Sequence, residues 1–159
     1  KDVVVMDLEG NLIEGNKKPS SEYGMHVIYY KKREDVNSVI HTHSTYASTI
    51  ATLNWEIPPV HYLVAFAGKK VPCAEYATYG TKELAENAYA STGDKYNATL
   101  LANHGLLAVG SNISTSFAIA EEIEFCAEIL YRTKAVGTPK RLSDDEMELM
   151  IEKFKTYGQ

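Results

Sequence analysis

Two histidines one residue apart give the clearest chemical signal in this sequence. In the segment Ile40-His41-Thr42-His43, the rings of His41 and His43 would project to the same side of a strand, because strand side chains alternate faces with a period of two. Two imidazoles aimed at one point suit zinc and similar divalent ions. The pair alone is equally compatible with two partly exposed histidines at a strand end.

A third histidine interrupts two apolar runs later in the chain, in Asn103-His104-Gly105. We expect the glycine to permit an unusual backbone there, with the ring next to the core. By itself His104 is typical of a histidine that caps a turn. Together with the H-x-H pair it predicts a three-ligand site with an open position, as in catalytic zinc centres. We assign mainly structural roles to His26 and His61.

The segment Pro19-Ser20-Ser21-Glu22 stands at the start of a helical pattern. Free backbone N–H groups, two hydroxyls and the positive end of the helix dipole favour an anion such as phosphate. The same residues are also typical of a serine N-cap followed by a glutamate placed for the dipole, which is the simpler interpretation of this segment alone.

Short apolar runs bounded by turn residues predict the strands that would position these side chains. An opening hairpin is predicted from residues 2–8 and 12–13, and an antiparallel or bulged strand pair is predicted on the two sides of His104. The remaining strand-like runs lie at 36–43 and 60–66, with a further short segment at 71–77.

Five segments with helical periodicity alternate with these runs, which indicates a mixed α and β domain. They begin near Ser20, Thr45, Thr81, Ser114 and Ser143. The long fourth helix, to about residue 134, has a predicted apolar stripe of Phe117, Ala120, Ile123, Ala127 and Leu130. Ser143 and Glu146 form a capping box for the last helix, and Gly158 is its expected stop.

Composition excludes several classes of protein. The chain has 159 residues, of which 45% are hydrophobic and 23% charged, so we expect one domain spanning residues 1–159. The net charge of −5 and the lack of a basic stripe argue against nucleic-acid binding. No apolar run reaches the roughly 20 residues that span a bilayer. Cys73 and Cys126 are too few for a disulfide framework, which favours a cytoplasmic location.

Seven motifs in one order carry a family resemblance. They are Pro-Ser-Ser-Glu, His-Thr-His, Val-His-Tyr, Val-Pro-Cys-Ala, Tyr-Ala-Thr-Tyr-Gly, Asn-His-Gly-Leu and Glu-Lys-Phe-Lys-Thr-Tyr-Gly. The chain resembles the class II aldolase/epimerase (aldolase/adducin-head) family from residue 2 to residue 158. The implied fold is a mixed α/β one, with a central, largely antiparallel β-sheet between helices in three α/β/α layers.

The resemblance also implies a metal centre. His41, His43 and His104 match the family's zinc-binding histidines, with one Zn²⁺ per subunit. Glu22 matches the acid that completes the resting metal site and then works as a base.

Further residues match the family's substrate site. Ser20 and Ser21 match part of the phosphate site, Tyr62 matches a tyrosine at the aldehyde end, and Tyr157 matches one on the C-terminal tail that exchanges a proton with the substrate hydroxyl. Family members are similar in being homotetramers with active sites at subunit interfaces. Two features depart from the pattern: we expect the family's N-terminal segment with its phosphate loops to be absent or to lie upstream of this sequence, and Glu75 has no matching role.

The implied activity is that of a lyase, the reversible cleavage of L-fuculose 1-phosphate to dihydroxyacetone phosphate and L-lactaldehyde. An L-ribulose-5-phosphate 4-epimerase is the nearest alternative, and a sugar-phosphate dehydratase is a weaker one. Glu22, where epimerases resemble Asp, and the pair His61-Tyr62 favour the aldolase. A non-catalytic interaction domain like the adducin head is the alternative of another class, and the three histidines argue against it.

Overall fold

The computed structural model describes residues 3–156. A short antiparallel hairpin, β1 (Val5–Met6) and β2 (Leu12–Glu14), precedes a four-stranded sheet. The sheet has the order β3-β6-β5-β4, and only the β4–β5 pair is parallel. Its strands are β3 (Ser38–Thr42), β4 (Cys73–Ala74), β5 (Ala98–Leu101) and β6 (Gly105–Gly110). The predicted, largely antiparallel central sheet is thus confirmed.

Five α-helices and one 3₁₀-helix surround the sheet in the described part of the chain. The α-helices are α1 (Tyr23–Lys32), α2 (Thr45–Thr52), α3 (Lys82–Thr92), α4 (Ile113–Val136) and α5 (Asp144–Phe154). All five were predicted from periodicity and capping residues. Within residues 3–156, none of these helices combines the length and the apolar character needed to cross a bilayer.

The segment predicted as a strand at residues 60–66 is instead the 3₁₀-helix Tyr62–Phe66, so that prediction was wrong. Its first turn is closed by the His61 side chain, whose Nδ1 accepts a hydrogen bond from Leu63 N at 3.4 Å. Val64 and Ala65 then pack into the core beside α4 and α5. A short apolar run carries no period that separates a buried strand from a buried helical turn.

Helices cover both faces of the sheet, which confirms the three-layer arrangement. Along β6, Leu106 and Ala108 belong to a core cluster with α2, α4 and α5, whereas Leu107 and Val109 belong to a second cluster with α1 and α3. All six residues of β6 are buried. A strand covered on both faces is expected to be apolar throughout.

Two predictions about helix faces and ends had different outcomes. Ser143 Oγ accepts a hydrogen bond from Glu146 N at 3.2 Å, as predicted for the cap of α5, while Gly158, its expected stop, lies outside the described residues. Phe117 was wrongly placed in the buried stripe of α4, since its side chain is 54% exposed. The buried face at that end instead begins at Ser116, whose Oγ lies 2.6 Å from Ser38 Oγ.

Candidate metal centre

The predicted metal-site residues meet at one edge of the four-stranded sheet. His41, His43, His104 and Glu22 each offer one ligand atom, and these four atoms all lie within 4.8 Å of one another. The histidine rings form a nearly equilateral triangle, with centroid separations of 4.8, 4.8 and 4.9 Å.

Strand pairing brings the histidines together. His41 lies in β3, opposite Leu107 of β6, and His43 follows the last residue of β3. His104 immediately precedes β6. Because the two strands are antiparallel, the end of β3 lies beside the start of β6, so residues about 60 positions apart in sequence share one corner (104 − 43 = 61).

The turn that carries His104 has a different basis from the one we predicted. Gly105 does not adopt the left-handed backbone; Asn103 does, with φ of 55°, a conformation that asparagine tolerates better than most residues. Gly105 is instead required by close packing, since a Cβ there would lie 2.3 Å from the carbonyl oxygen of Thr42 and 3.1 Å from His43 Cδ2.

The hydrogen bonds of His41 orient its ring as a metal ligand. Its Nδ1 lies 2.9 Å from the carbonyl oxygen of Leu106, and since a carbonyl only accepts, Nδ1 must carry the proton. In the neutral ring the lone pair is then on Nε2, which lies 3.0 Å from Nε2 of His43. A backbone carbonyl that fixes the tautomer in this way is the usual outer partner of a metal-bound histidine.

Burial favours the neutral form of two of the rings. Desolvation lowers the pKa of His41 below its ordinary value, an effect that the Leu106 carbonyl and the Glu22 charge partly oppose. Desolvation also lowers the pKa of His104, again against the charge of Glu22. A neutral imidazole is the form that binds metals, so the lowered pKa values of His41 and His104 favour metal binding by these two rings.

Glu22 supplies the carboxylate of the cluster from the residue just before α1. Its Oε1 lies 3.2 Å from His104 Nε2 and its Oε2 lies 3.6 Å from His41 Nε2. Protonated rings at these distances would form ion pairs, but burial favours the neutral rings, and Oε1 is itself buried and accepts no hydrogen bond from the described residues. Burying a carboxylate oxygen without a donor is costly, and a cation between the rings would satisfy it. The donor set therefore fits a divalent metal.

A cavity of about 430 Å³ opens beside these ligands. It is lined by Ser21, Glu22, His43, Tyr76, Ala77, Tyr79, Asn103 and His104. Tyr76 and Tyr79 are 61% and 68% exposed. No role was predicted for these two tyrosines, although the Tyr-Ala-Thr-Tyr-Gly motif that contains them was a signal.

The structure does not bring all of the expected substrate residues to this corner. Ser20 is exposed, and its Oγ accepts a hydrogen bond from Glu22 N at 3.2 Å. Tyr62 does not line the cavity; its ring lies 6.1 Å from that of Phe154 on α5. Tyr157 lies outside the described residues. Glu75 is exposed, and nothing in the structure gives its carboxylate a role.

The chain combines a three-layer α/β/α domain with three histidines and a carboxylate that converge at the edge of its sheet. This combination is typical of class II aldolases, which are metal-dependent. The profile of one such family, described as the Class II Aldolase and Adducin N-terminal domain, matches residues 1–131. The chain belongs to this family, as its motifs predicted.

Proteins with similar sequences and structures indicate which activity within this family the chain has. The chain is 58% identical over 159 residues to the 5-deoxy-D-ribulose 1-phosphate aldolase of Bacillus thuringiensis serovar kurstaki, covering 100% of this chain and 74% of that protein. It is 41% identical over 158 residues to the L-fuculose phosphate aldolase of Escherichia coli K12, covering 98% and 73%. A solved structure described as L-fuculose 1-phosphate aldolase superposes with a TM-score of 0.92 at 53% identity, covering 96% and 71%. The chain is therefore a class II aldolase, and the prediction of a lyase is confirmed.

Proposed function

We propose that this aldolase cleaves a deoxyketose 1-phosphate between C3 and C4, releasing dihydroxyacetone phosphate and a short aldehyde. The observation that carries the proposal is the convergence of His41, His43, His104 and Glu22 within 4.8 Å, beside a cavity of about 430 Å³. Three of the four ligands, Glu22, His43 and His104, line this cavity together with Ser21, so a substrate bound there would lie next to the metal centre and to a serine.

The resident metal in this proposal is one Zn²⁺ per chain, held by the three histidines and, in the resting site, by Glu22. Three nitrogens and one oxygen are a common donor set for catalytic zinc, although imidazoles also accept other divalent ions. When bound, the ion would supply Lewis acidity that polarises the carbonyl of a ketose substrate.

The chain's own residues move the protons. In cleavage the C4 hydroxyl loses its proton, the C3–C4 electron pair stays on C3, and C3 then takes up a proton. Glu22 in its protonated form is the proposed donor at C3, and its carboxylate is the base that removes that proton in the condensing direction; the proton that the C4 hydroxyl loses balances the one that C3 gains. Its Oε1 is buried beside the histidine rings and accepts no hydrogen bond from the described residues, so no protein donor competes with a substrate for this oxygen. Tyr157 is the proposed acceptor for the C4 hydroxyl proton.

The remaining expected residues have positioning roles in this proposal. Ser20 and Ser21 precede α1, whose N-terminus favours the substrate phosphate. Tyr62 is 44% exposed on the 3₁₀-helix and would serve the aldehyde end of a neighbouring subunit in a homotetramer. Light scattering on the purified protein tests the tetramer. The single domain over residues 1–159 and the cytoplasmic location stay predictions.

Two substrates fit this chemistry. The motifs alone favoured L-fuculose 1-phosphate, but the 58% identity to a 5-deoxy-D-ribulose 1-phosphate aldolase favours the shorter sugar as the first substrate. Cleavage at C3–C4 would give acetaldehyde from the pentulose and L-lactaldehyde from fuculose. Both sugars end in a methyl group, for which Tyr76, Ala77 and Tyr79 offer apolar contact area in the cavity.

Release of dihydroxyacetone phosphate from each sugar, followed through an NADH-linked glycerol-phosphate dehydrogenase, tests the proposal. We expect cleavage that stops on chelation and returns with zinc, with the higher kcat/KM for 5-deoxy-D-ribulose 1-phosphate. L-Ribulose 5-phosphate runs in parallel. Epimerisation of that sugar, with no cleavage of the other two, would replace the aldolase proposal by the epimerase.

A further inference from the structure

A carboxylate outside the metal centre caps the helix that begins next to it. Glu124 of α4 accepts hydrogen bonds from two backbone groups of α2, Tyr46 N to Oε1 and Ala47 N to Oε2, each at 2.8 Å. The residue at the N-cap position, Ser44, makes no side-chain hydrogen bond to the helix. Glu124 therefore caps the N-terminus of α2 from a distant part of the chain, a role that a residue at the N-cap position usually has. Its negative charge also interacts favourably with the positive end of the α2 dipole.

Helix α2 contacts the metal centre in two places. Its first residue, Thr45, is two positions after His43, so the start of the helix and the end of β3 together hold the His43 backbone. Its body touches the turn that carries His104. Ser48 Oγ donates to the His104 carbonyl oxygen at 3.4 Å, and Asn103 N donates to the Ala51 carbonyl oxygen at 3.1 Å. Any shift of α2 along its axis would move both histidines relative to His41, which β3 and β6 hold separately.

We propose that Glu124 is a positioning residue of the metal centre, which anchors the N-terminus of α2 to α4 and through α2 holds His43 and His104 in place around the ion. This inference rests on the metal centre proposed above. The anchor is strong for a cap, because a carboxylate that accepts two N–H groups makes charge-assisted bonds. Ala47 is fully buried, so its N–H has no water to replace a lost partner.

Glu124→Gln is the sharpest variant, because the amide keeps the size of the side chain and one oxygen acceptor while it removes the charge and the second acceptor. One of the two α2 N–H groups can still be satisfied, so the variant is expected to fold. Ser143→Ala is the matched control: it removes the single side-chain cap of α5, Glu146 N to Ser143 Oγ, from a helix that contributes nothing to the four-ligand cluster.

Cobalt(II) is the probe, since its visible absorption reports both binding and coordination geometry, and zinc affinity is measured in parallel against a chromophoric chelator. We expect Glu124→Gln to weaken both metals by roughly 10-fold or more, the usual effect of losing an outer-shell partner, and to change the cobalt spectrum. Ser143→Ala should leave affinity and spectrum unchanged. Urea unfolding of the metal-free proteins shows whether the two variants lose comparable stability.

The outcomes separate the two proposals. If wild type and Glu124→Gln bind cobalt with equal affinity and the same spectrum, although Glu124→Gln unfolds at lower urea, Glu124 is only a helix cap and the inference is overturned. If Ser143→Ala weakens cobalt as much as Glu124→Gln does, the effect is general destabilisation, and the inference is again overturned. If wild type itself binds neither metal, the metal centre proposed above fails, and the positioning role fails with it.

Discussion

Replacing Gly105 by alanine tests whether close backbone packing sets the geometry of the metal centre. An added Cβ would lie 2.3 Å from the Thr42 carbonyl oxygen, whereas real Cβ contacts stay beyond about 3.0 Å. The carbonyl must therefore retreat by at least 0.7 Å (3.0 − 2.3). Thr42 is a backbone neighbour of both His41 and His43, and no side-chain rotation can relieve the clash.

The size of the effect follows from this displacement. Overpacking of a buried site costs about 1–3 kcal/mol, and roughly 2–4 °C of melting temperature is lost per kcal/mol in a domain of this size. We expect Gly105→Ala to melt roughly 4–8 °C below wild type, for a cost of about 2 kcal/mol. A misplacement approaching 1 Å at a catalytic centre can cost about 10²-fold in rate, so the loss of aldolase turnover should exceed what the lost stability explains.

Gly137→Ala is the matched control for the same chemical change. Gly137 ends α4 with φ of 171° and has no heavy atom within 4 Å of an added Cβ, so its substitution should stay within about 0.5 kcal/mol. Thermal unfolding and cobalt titration of both variants give the comparison. Equal melting temperatures and equal cobalt affinities for the two variants would show that the end of β3 moves at no cost in stability or metal binding. That result would refute the claim that close packing at Gly105 sets the geometry of the metal centre.

Three further predictions test the site and the core. Glu22→Gln should lower turnover by at least about 10²-fold with little change in melting temperature, because it removes the proposed proton carrier; turnover within threefold of wild type would exclude that role. Tyr29→Phe should lower the free energy of unfolding, measured in urea, by about 1–2 kcal/mol. The hydroxyl of the fully buried Tyr29 donates a hydrogen bond to the Ala88 carbonyl oxygen at 3.0 Å, and the variant loses it. An unchanged urea midpoint would mean that this bond adds nothing to stability. Burial raises the pKa of the Cys73 thiol to about 11 and that of the Cys126 thiol to about 12. Iodoacetamide at neutral pH should therefore label Cys73 roughly 100-fold, and Cys126 roughly 1,000-fold, more slowly in the native chain than in urea. Rapid labelling of the native chain, followed by mass spectrometry, would contradict this.

The sequence was most informative where a local rule and a long-range pattern agreed. The H-x-H pair predicted a shared direction from the strand period, and the apolar runs on both sides of His104 predicted the antiparallel pair β5 and β6. Helix starts at Thr81 and Ser143 were recognisable because caps are chemically specific, and both side chains accept the expected N–H bonds.

Where prediction failed, the deciding contacts were non-local. The run at 60–66 became a 3₁₀-helix beneath α4 and α5, which periodicity in a short segment cannot reveal. Gly105 is required because of Thr42, more than 60 residues away in sequence (105 − 42 = 63). We had predicted that this glycine permits an unusual backbone conformation, but it instead allows close packing against the Thr42 carbonyl oxygen. Tyr76 and Tyr79 line the cavity beside the ligands, and they follow β4, whose pairing with β5 joins residues far apart in sequence.

The four ligands are held by different parts of the fold. The pairing of β3 with β6 and the Leu106 carbonyl orient His41. Helix α2, whose N-terminus is bonded to Glu124, follows His43 and contacts the His104 turn. Glu22 comes from the residue just before α1. Only the ligand atoms meet, and they do so with a buried carboxylate oxygen left without a hydrogen bond from the described residues. The backbone bonds that place these rings do not involve an ion. The unsatisfied oxygen is the part of that arrangement that a cation would complete.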